Sequence, residues 1–539
     1  MATLKTSSLP WWHPGGLLRR SGSGSNLRSI FLSFRLVLGL ALCLCQTPVA
    51  WAADGDVDGI DDLVDNCPTI SNADQMDNNN DGAGDVCDPC LTSGYCAFGG
   101  QLQVNTGTSG AQGYWTALTA SPQEPGRLMT VWTDDYTATP ISARSVSDIG
   151  SPLAMDLQAQ AQTEYSYGGA LAPTDTGFLV VWDAADLDTD GGIQGLLLDI
   201  DGNPVGSSFL VNSYTTGFQD HPSITRTTDG GFMVVWSGNG SPGDDTDAGA
   251  IVGRRLDSAG TPVAGDFQIN QVTTEFQSYP SVAPQTGGGF AVAWHSHYSS
   301  GDADGYSIRA RVFDNADQPV NPDFQLNTTT TGDQSYASIQ PTSDGFLVVW
   351  RDDVNQVVGR RLDGTGQPLG NEIQVASLLT GRSEEPGIAR NAQGLFQVVW
   401  AQSASRGDDS DLSSIQSRLL DASGSPVAGQ FQINTVTGNQ QNKSKVASIG
   451  NDFHVVFVSG SSDGDDSDTT SIQLRSSGLD SDTDTVPNTL DNCLDVANTA
   501  QADSDSDGLG DACDPCVGPD NSCVIFIDGF ESGDTGNWS

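Results

Sequence analysis

Acidic residues recur at fixed spacing near both ends of this 539-residue chain, and the spacing suits metal ligation. In "DGDVDGIDDLVD", counted from Asp54, carboxylates fall at positions 1, 3, 5, 9 and 12 (Asp54, Asp56, Asp58, Asp62, Asp65), with Gly59 at position 6. Ca²⁺ takes six to eight oxygens at about 2.3–2.6 Å, and alternate residues supply them only if the chain wraps around the ion. Glycine permits the bend, and the carbonyl of Ile60 adds an oxygen. "DNNNDGAGDVCD" repeats the count with Asp77, Asn79, Asp81, Ala83, Asp85 and Asp88. A third loop offers Asp503, Asp505, Asp507, Leu509, Asp511 and Asp514. A fourth offers Asp480, Asp482, Asp484, Val486, Asn488 and Asp491, but Thr485 stands where the others have glycine, so it is expected to bind most weakly. Ala83, Val486 and Leu509, like Ile60, would contribute carbonyls. Segments 54–88 and 480–514 hold 11 and 10 Asp and no Lys or Arg. Two carboxylates 4 Å apart repel by about 1 kcal/mol in water and about 4 kcal/mol at an effective dielectric of 20. With no internal base to offset this, the sequence predicts bound calcium.

"DVDGIDDLVDNCPTISNADQMDNNNDGAGDVCD" resembles a thrombospondin type 3 repeat pair. "DSDTDTVPNTLDNCLDVANTAQADSDSDGLGDACD" is similar, with Leu494 replacing the proline after Cys493. The resemblance implies calcium-filled, disulfide-stapled repeats with almost no apolar core. Segments this short and polar need staples or metals to fold. Eight cysteines follow position 52, and eight allow 105 connectivities. Their division into two groups of four favours local pairing: Cys67 with Cys87, Cys90 with Cys96, Cys493 with Cys513, and Cys516 with Cys523. Zinc in "CDPC" is the weaker reading, since no histidine lies nearby.

The elements between these cassettes form a repeat. "RLMTVW", "GFLVVW", "GFMVVW", "GFAVAW", "GFLVVW", "LFQVVW" and "DFHVVF" end at Trp132, Trp182, Trp236, Trp294, Trp350, Trp400 and Phe457, a period of 50 to 58 residues. Self-similarity at this period marks a solenoid or propeller. Each unit reads as four strands: a small-residue strand such as "HPSIT", the Trp strand, a third such as "IVGRRLD", and a short "FQIN" after a turn such as "SAGTPV". The last-strand motif first appears at Leu102, before any Trp strand, and the last unit stops after its third strand at Ser471. Leu102–Thr106 should therefore supply the outer strand of the final blade. The fold class expected is all-β, a seven-bladed β-propeller closed in this way and flanked by irregular calcium- and disulfide-stabilised cassettes. The repeats also resemble tandem repeats of secreted bacterial proteins, a likeness of fold alone.

The expected domains are a signal peptide (1–52), an N-terminal cassette (53–96), the propeller (101–476), a C-terminal cassette (477–523) and a tail (524–539). Basic residues followed by the apolar run "LVLGLALCLC" read as an export signal, too short to span a bilayer. The remaining chain carries 17 Lys+Arg against 68 Asp+Glu, a net charge of 17 − 68 = −51. Such a chain should repel nucleic acid and anionic membranes. Its expected place is outside the cell, at the surface or in the periplasm, with no membrane span after cleavage. Chemistry elsewhere is thin. His295 and His297 would share a strand face and read as a strand-end surface pair; His221 and His454 stand alone. Acidic loops after the Trp strands, such as "DLDTDGG" from Asp186 and "DGDDSD" from Asp463, read as solvated, with low-affinity calcium binding as the alternative. No nucleophile elbow, HExxH or phosphate loop occurs. The sequence thus points to a calcium-binding, non-enzymatic adhesion or binding protein with a protein or glycan ligand. The alternative is a carbohydrate-active enzyme built on the propeller.

Overall fold

The computed structural model describes residues 90–479 apart from short loop segments. In the terminal cassettes it describes only residues 60, 64, 65, 67, 491–493, 496–498, 500–504 and 510–513. The expected signal segment and tail lie outside the described residues.

Seven antiparallel sheets follow one another along the chain. Blade 3 shows the plan: inner strand Gln219–Arg226, Trp strand Phe232–Gly238, third strand Ala250–Leu256, outer strand Phe267–Gln268. The inner strands abut in a cycle: Gln112–Ala120, Gly169–Pro173, Gln219–Arg226, Gln277–Pro284, Ser335–Pro341, Ser383–Arg390, Gln441–Ile449, and back to the first. The chain is therefore an all-β, seven-bladed propeller. Small residues suit the crowded inner strands. The Trp strands are covered on both faces, so every residue from Phe232 to Gly238 is buried. Each cleft between neighbouring blades holds an apolar cluster, as where Val235 and Ile251 of blade 3 meet Phe290 and Trp294 of blade 4.

Two polar devices tie the blades together. The asparagine ending the outer-strand motif spans two blades. Asn270 Oδ1 accepts the Ile251 amide (2.9 Å) within its own blade, and its Nδ2 donates to Gln277 Oε1 (3.1 Å) of the next. Asn212 with Gln219, Asn327 with Gln334 and Asn434 with Gln441 repeat the contact. The second device is an arginine of the third strand that donates to an outer-strand carbonyl of the preceding blade. Arg311 reaches Ile269 O (2.6 Å), Arg360 reaches Leu326 O (2.8 Å) and Arg418 reaches Val375 O (2.7 Å). Arg254, Arg475 and Arg144 do likewise with Val211, Ile433 and Val104. Blade 2 has buried Leu196 at this place and packs instead through the apolar cluster it shares with blade 1.

The acidic loops correct an expectation. Asp188, Asp245 and Asp302 are buried rather than solvated, and each accepts a hydrogen bond from a latching asparagine (Asn212, Asn270, Asn327). Each latching amide also donates to the carbonyl two residues on, as Asn270 does to Val272 O, so the loop carboxylate adds a further acceptor to the latch.

The seventh sheet takes its outer strand from the start of the repeat region. Tyr95–Gln103 runs antiparallel to Ser471–Leu479, with Leu102 opposite Leu474 and Gln103 opposite Gln473. Asn105 takes the latch position, its Oδ1 accepting the Ile472 amide at 2.8 Å. The ladder bulges between Phe98 and Leu102 and continues to Tyr95 opposite Leu479. Both cassettes therefore attach at one end of blade 7.

Candidate functional site

The C-terminal cassette folds on a short polar frame. Asp491 Oδ1 accepts the Cys493 amide (2.8 Å) and Gln501 Nε2 (2.9 Å), and Gln501 Oε1 in turn accepts the Asn492 amide (2.7 Å). Cys493 is bonded to Cys513, their Cα atoms 5.5 Å apart. Asp511 is committed to the Ser504 hydroxyl and amide, both at 2.7 Å, which hold its carboxyl below the usual range. The N-terminal cassette repeats the first of these contacts, Asp65 Oδ1 accepting the Cys67 amide at 2.8 Å. Cys67 is disulfide-bonded; its expected partner Cys87, like Cys516 and Cys523, lies outside the described residues. Cys90 and Cys96 stand directly opposite in a short hairpin.

Among the described residues no three His, Cys, Asp or Glu side chains come together as a metal site, but one oxygen is suited to a cation. Asp491 Oδ2 is buried with no hydrogen-bond partner among the described residues, although an ionised carboxylate oxygen has lone pairs to satisfy. The described loop positions are Ile60, Asp65, Asp491, Asp503 and Asp511. Asp54, Asp56, Asp58, Asp62, the set Asp77 to Asp88, the set Asp480 to Asn488, and Asp505, Asp507, Leu509 and Asp514 lie outside the described residues.

A second site was not read from the sequence. The inner strands enclose an axial cavity of about 430 Å³. At one end of it, inner strands carry a β-bulge whose extra residue points the backbone into the left-handed region: His221 (φ 50°), Tyr279 (54°), Tyr336 (58°), Glu385 (33°) and Lys443 (55°). Such φ values are strained for residues with a Cβ, and here they recur at one register in five successive blades. The signal was present as the residue before each small one, in "HPS", "YPS", "YAS", "EPG" and "KSK". It stayed hidden because neither hydropathy nor period changes there.

At this mouth the His221 and Tyr279 rings lie 3.9 Å apart, Tyr336 meets Tyr279 edge-on at 5.0 Å, and the Arg351 guanidinium lies 5.0 Å from the Tyr336 ring. Lys443 Nζ pairs with Glu385 Oε1 at 2.8 Å. Burial works against a charged Glu385, yet the Lys443 and Lys445 charges hold its carboxyl below the ordinary range. Burial likewise opposes protonation of His221, but the hydrogen bond and charge of Asp220, with Asp183 and Glu385, raise its pKa. Asp183 is pushed up to about 6 by burial, against its bonds to the Gly168 amide and the Ser166 hydroxyl.

His295 departs from the expected surface reading, while His297, the last residue of strand Phe290–His297, stays partly exposed. His295 is buried, with Nε2 against Ser278 Oγ, and burial depresses its pKa to about 3. The Tyr306 ring lies 4.7 Å from both His295 and His297. His454 is also buried, its Nδ1 2.7 Å from Ser476 Oγ, and its pKa falls to about 3 from an ordinary 6.5. Between these values the unfolded chain takes up a proton that the folded chain refuses. The stability that neutral His454 contributes is full above pH 6.5 and is lost on acidification towards pH 3, by about 1.4 kcal/mol per pH unit. Asp183 acts in the opposite sense below its raised value, and subtracts one such increment. A His454→Gln variant should show a flatter decline of the urea midpoint between pH 6 and 4. Equal slopes in the two proteins would rule this out.

Comparison with known proteins places these features. Residues 45–75 and 478–501 match the thrombospondin type 3 repeat family, whose members are associated with calcium binding. The chain is thus a seven-bladed propeller carrying thrombospondin type 3 repeats at both ends. No curated protein matches it. Similar solved structures include a protein of unknown function from Dyadobacter fermentans (10% identity, TM-score 0.42, covering 71% of this chain and 98% of that one). An endosialidase of phage phi92 (11%, 0.39, 71% and 69%) and an α-L-arabinanase of Penicillium chrysogenum (10%, 0.37, 70% and 98%) are also similar. Among the described residues no helix is long and apolar enough to cross a membrane.

Proposed function

We propose that the protein is exported, calcium-stabilised and non-enzymatic, and that it holds a ligand at the channel mouth. The recurrence of the left-handed bulge in successive blades carries this reading. A repeat serving only the fold would keep one residue type there, whereas these positions hold His221, Tyr279, Tyr336, Glu385 and Lys443. Aromatic faces with a few charged groups around a concavity form a binding surface. Calcium is held by the cassettes, with Asp491 offering its second oxygen, and neutralises their carboxylates.

A carbohydrate-active enzyme is the second reading. Asp183 and Glu385 have pKa values displaced in opposite directions, a pattern typical of acid and base partners. Against it, Asp183 is 2% exposed and Glu385 is paired with Lys443. An array of glycans and purified surface proteins, run with calcium and with EDTA, separates the two. The expected result is binding without turnover, lost in a Tyr279→Ala/Tyr336→Ala variant. Conversion of a bound oligosaccharide that Glu385→Gln abolishes would overturn the non-enzymatic reading, and retention of all binding by the double variant would remove the mouth as the site.

A further inference from the structure

Lysine is nearly absent from this chain. In 539 residues it occurs only at Lys5, Lys443 and Lys445. The last two lie two residues apart on the inner strand of blade 7, and both line the axial cavity. Arginine serves the scaffold, bridging blades as at Arg311 and Arg360 or pairing with turn carboxylates as at Arg255 with Asp317. A chain of net charge −46 repels anions at a distance, so two lysines in one cavity do not steer. They act at contact range.

The two differ in state. Lys443 is paired with Glu385. Lys445 makes no hydrogen bond or ion pair among the described residues, and burial, with Lys443 nearby, draws its pKa down while Glu385 opposes. Lys445 is half-buried in the cavity wall, and an anion bound there would favour its charged form. Lys445 adds a positive charge beside the Lys443–Glu385 pair, and the Arg351 guanidinium stands near Tyr336 at the same mouth, so the wall suits an anion such as a carboxylate. Aromatic residues line the same cavity: Trp115 on the adjoining blade 1, and Tyr279 and Tyr336 on blades 4 and 5. A carboxylate attached to a ring with an apolar C–H face meets both requirements.

We infer that the channel mouth binds a uronic acid unit of a polysaccharide, with its carboxylate on Lys445 and its ring against Tyr279 and Tyr336. This rests on the mouth being the binding site, and it adds the ligand class.

The scarcity of lysine provides the test. Reductive ¹³C-methylation of the full-length, calcium-loaded protein labels Lys443 and Lys445 with at most Lys5 and the amino terminus besides, and Lys445→Met and Lys443→Met assign the signals. Galacturonate and glucuronate oligosaccharides should shift the Lys445 signal. Calorimetry on unmodified protein should show affinity at least tenfold above that for the neutral counterparts. Lys445→Met should cost about tenfold or more, as expected for a charge-assisted bond, and Lys445→Arg should recover part of it. Equal affinity for neutral oligosaccharides, with Tyr336→Ala weakening both, would overturn the uronate assignment and leave the mouth as a binding site. An unmoved Lys445 signal, or binding by Lys445→Met equal to wild type, overturns it as well. Acetate competing as strongly as the oligosaccharide would assign the site to small anions instead.

Discussion

A chain lacking residues 101–106 is expected to lose most of its folding stability and to aggregate. The segment is six residues long, but its contacts are among the most enclosed in the molecule. Val104 is fully buried, its amide donates to Ile472 O at 2.7 Å, and Asn105 accepts the Ile472 amide. Gln101 Oε1 caps the Thr435 and Val436 amides of the preceding blade. Arg144 of blade 1, buried in its turn, loses the Val104 carbonyl. Burying a valine contributes about 1.5–3 kcal/mol, and each buried polar group left unsatisfied costs about 1–3 kcal/mol. Even at the low end of both ranges the loss is about 6 kcal/mol, against a typical domain stability of about 5–15 kcal/mol. The deletion also exposes the edge of Ser471–Leu479, an open template for another chain. Asn105→Ala, which removes only the latch, should cost about 1–3 kcal/mol and shift the denaturation midpoint without changing the slope. Size exclusion and urea unfolding measure both. A deletion protein that melts with wild type would show that the strand does not close the ring.

The second large effect concerns calcium. Titrating EDTA into the full-length protein should abolish a low-enthalpy cassette transition in calorimetry and leave the ring transition within a few degrees. The cassettes have 11 and 10 Asp and no internal base, while the ring is held by buried apolar clusters and inter-blade hydrogen bonds. Readdition of Ca²⁺ should give binding at about 10⁻⁴–10⁻³ M or tighter. Asp491→Asn should weaken one site, and Asp81→Ala and Asp507→Ala should each remove about one. No heat of Ca²⁺ binding, or collapse of the ring with the cassettes, would contradict this.

The parts of the fold legible in the sequence were those written in hydropathy. A strand covered on both faces must be apolar throughout, so the Trp phrases marked seven strands, and the orphan motif at Leu102 pointed to the place that Tyr95–Gln103 fills beside Ser471–Leu479. Polar side chains acting across blades were not legible. Asn270 and Gln277 are seven residues apart, as are Asn212 and Gln219, yet the contact exists only once two separate sheets are packed. Loop acids were misread for the same reason: Asp245 looks solvated until Asn270 is seen beside it. Of the candidate sites, the acidic loops were proposed from spacing and from the thrombospondin type 3 resemblance, and most of their positions lie outside the described residues. The mouth needed the register, because a bulge that turns Tyr279 inward is a property of two paired strands.

The common attachment of the two cassettes has a mechanical consequence. Tyr95 and Leu479 face each other at the last rung of the closing ladder, with one cassette ahead of the first and the other beyond the second. Tension applied between the cassettes therefore peels the ladder rung by rung, the weakest way to load paired strands. It does not pull all of its hydrogen bonds at once. With both cassettes fixed to one support, no tension acts across this seam. They also leave from the end of blade 7 opposite Lys443, which sits near the Ser459–Ser471 end of the sheet. A molecule held by its two ends on one support presents its cavity mouth away from that support, and stays closed while doing so.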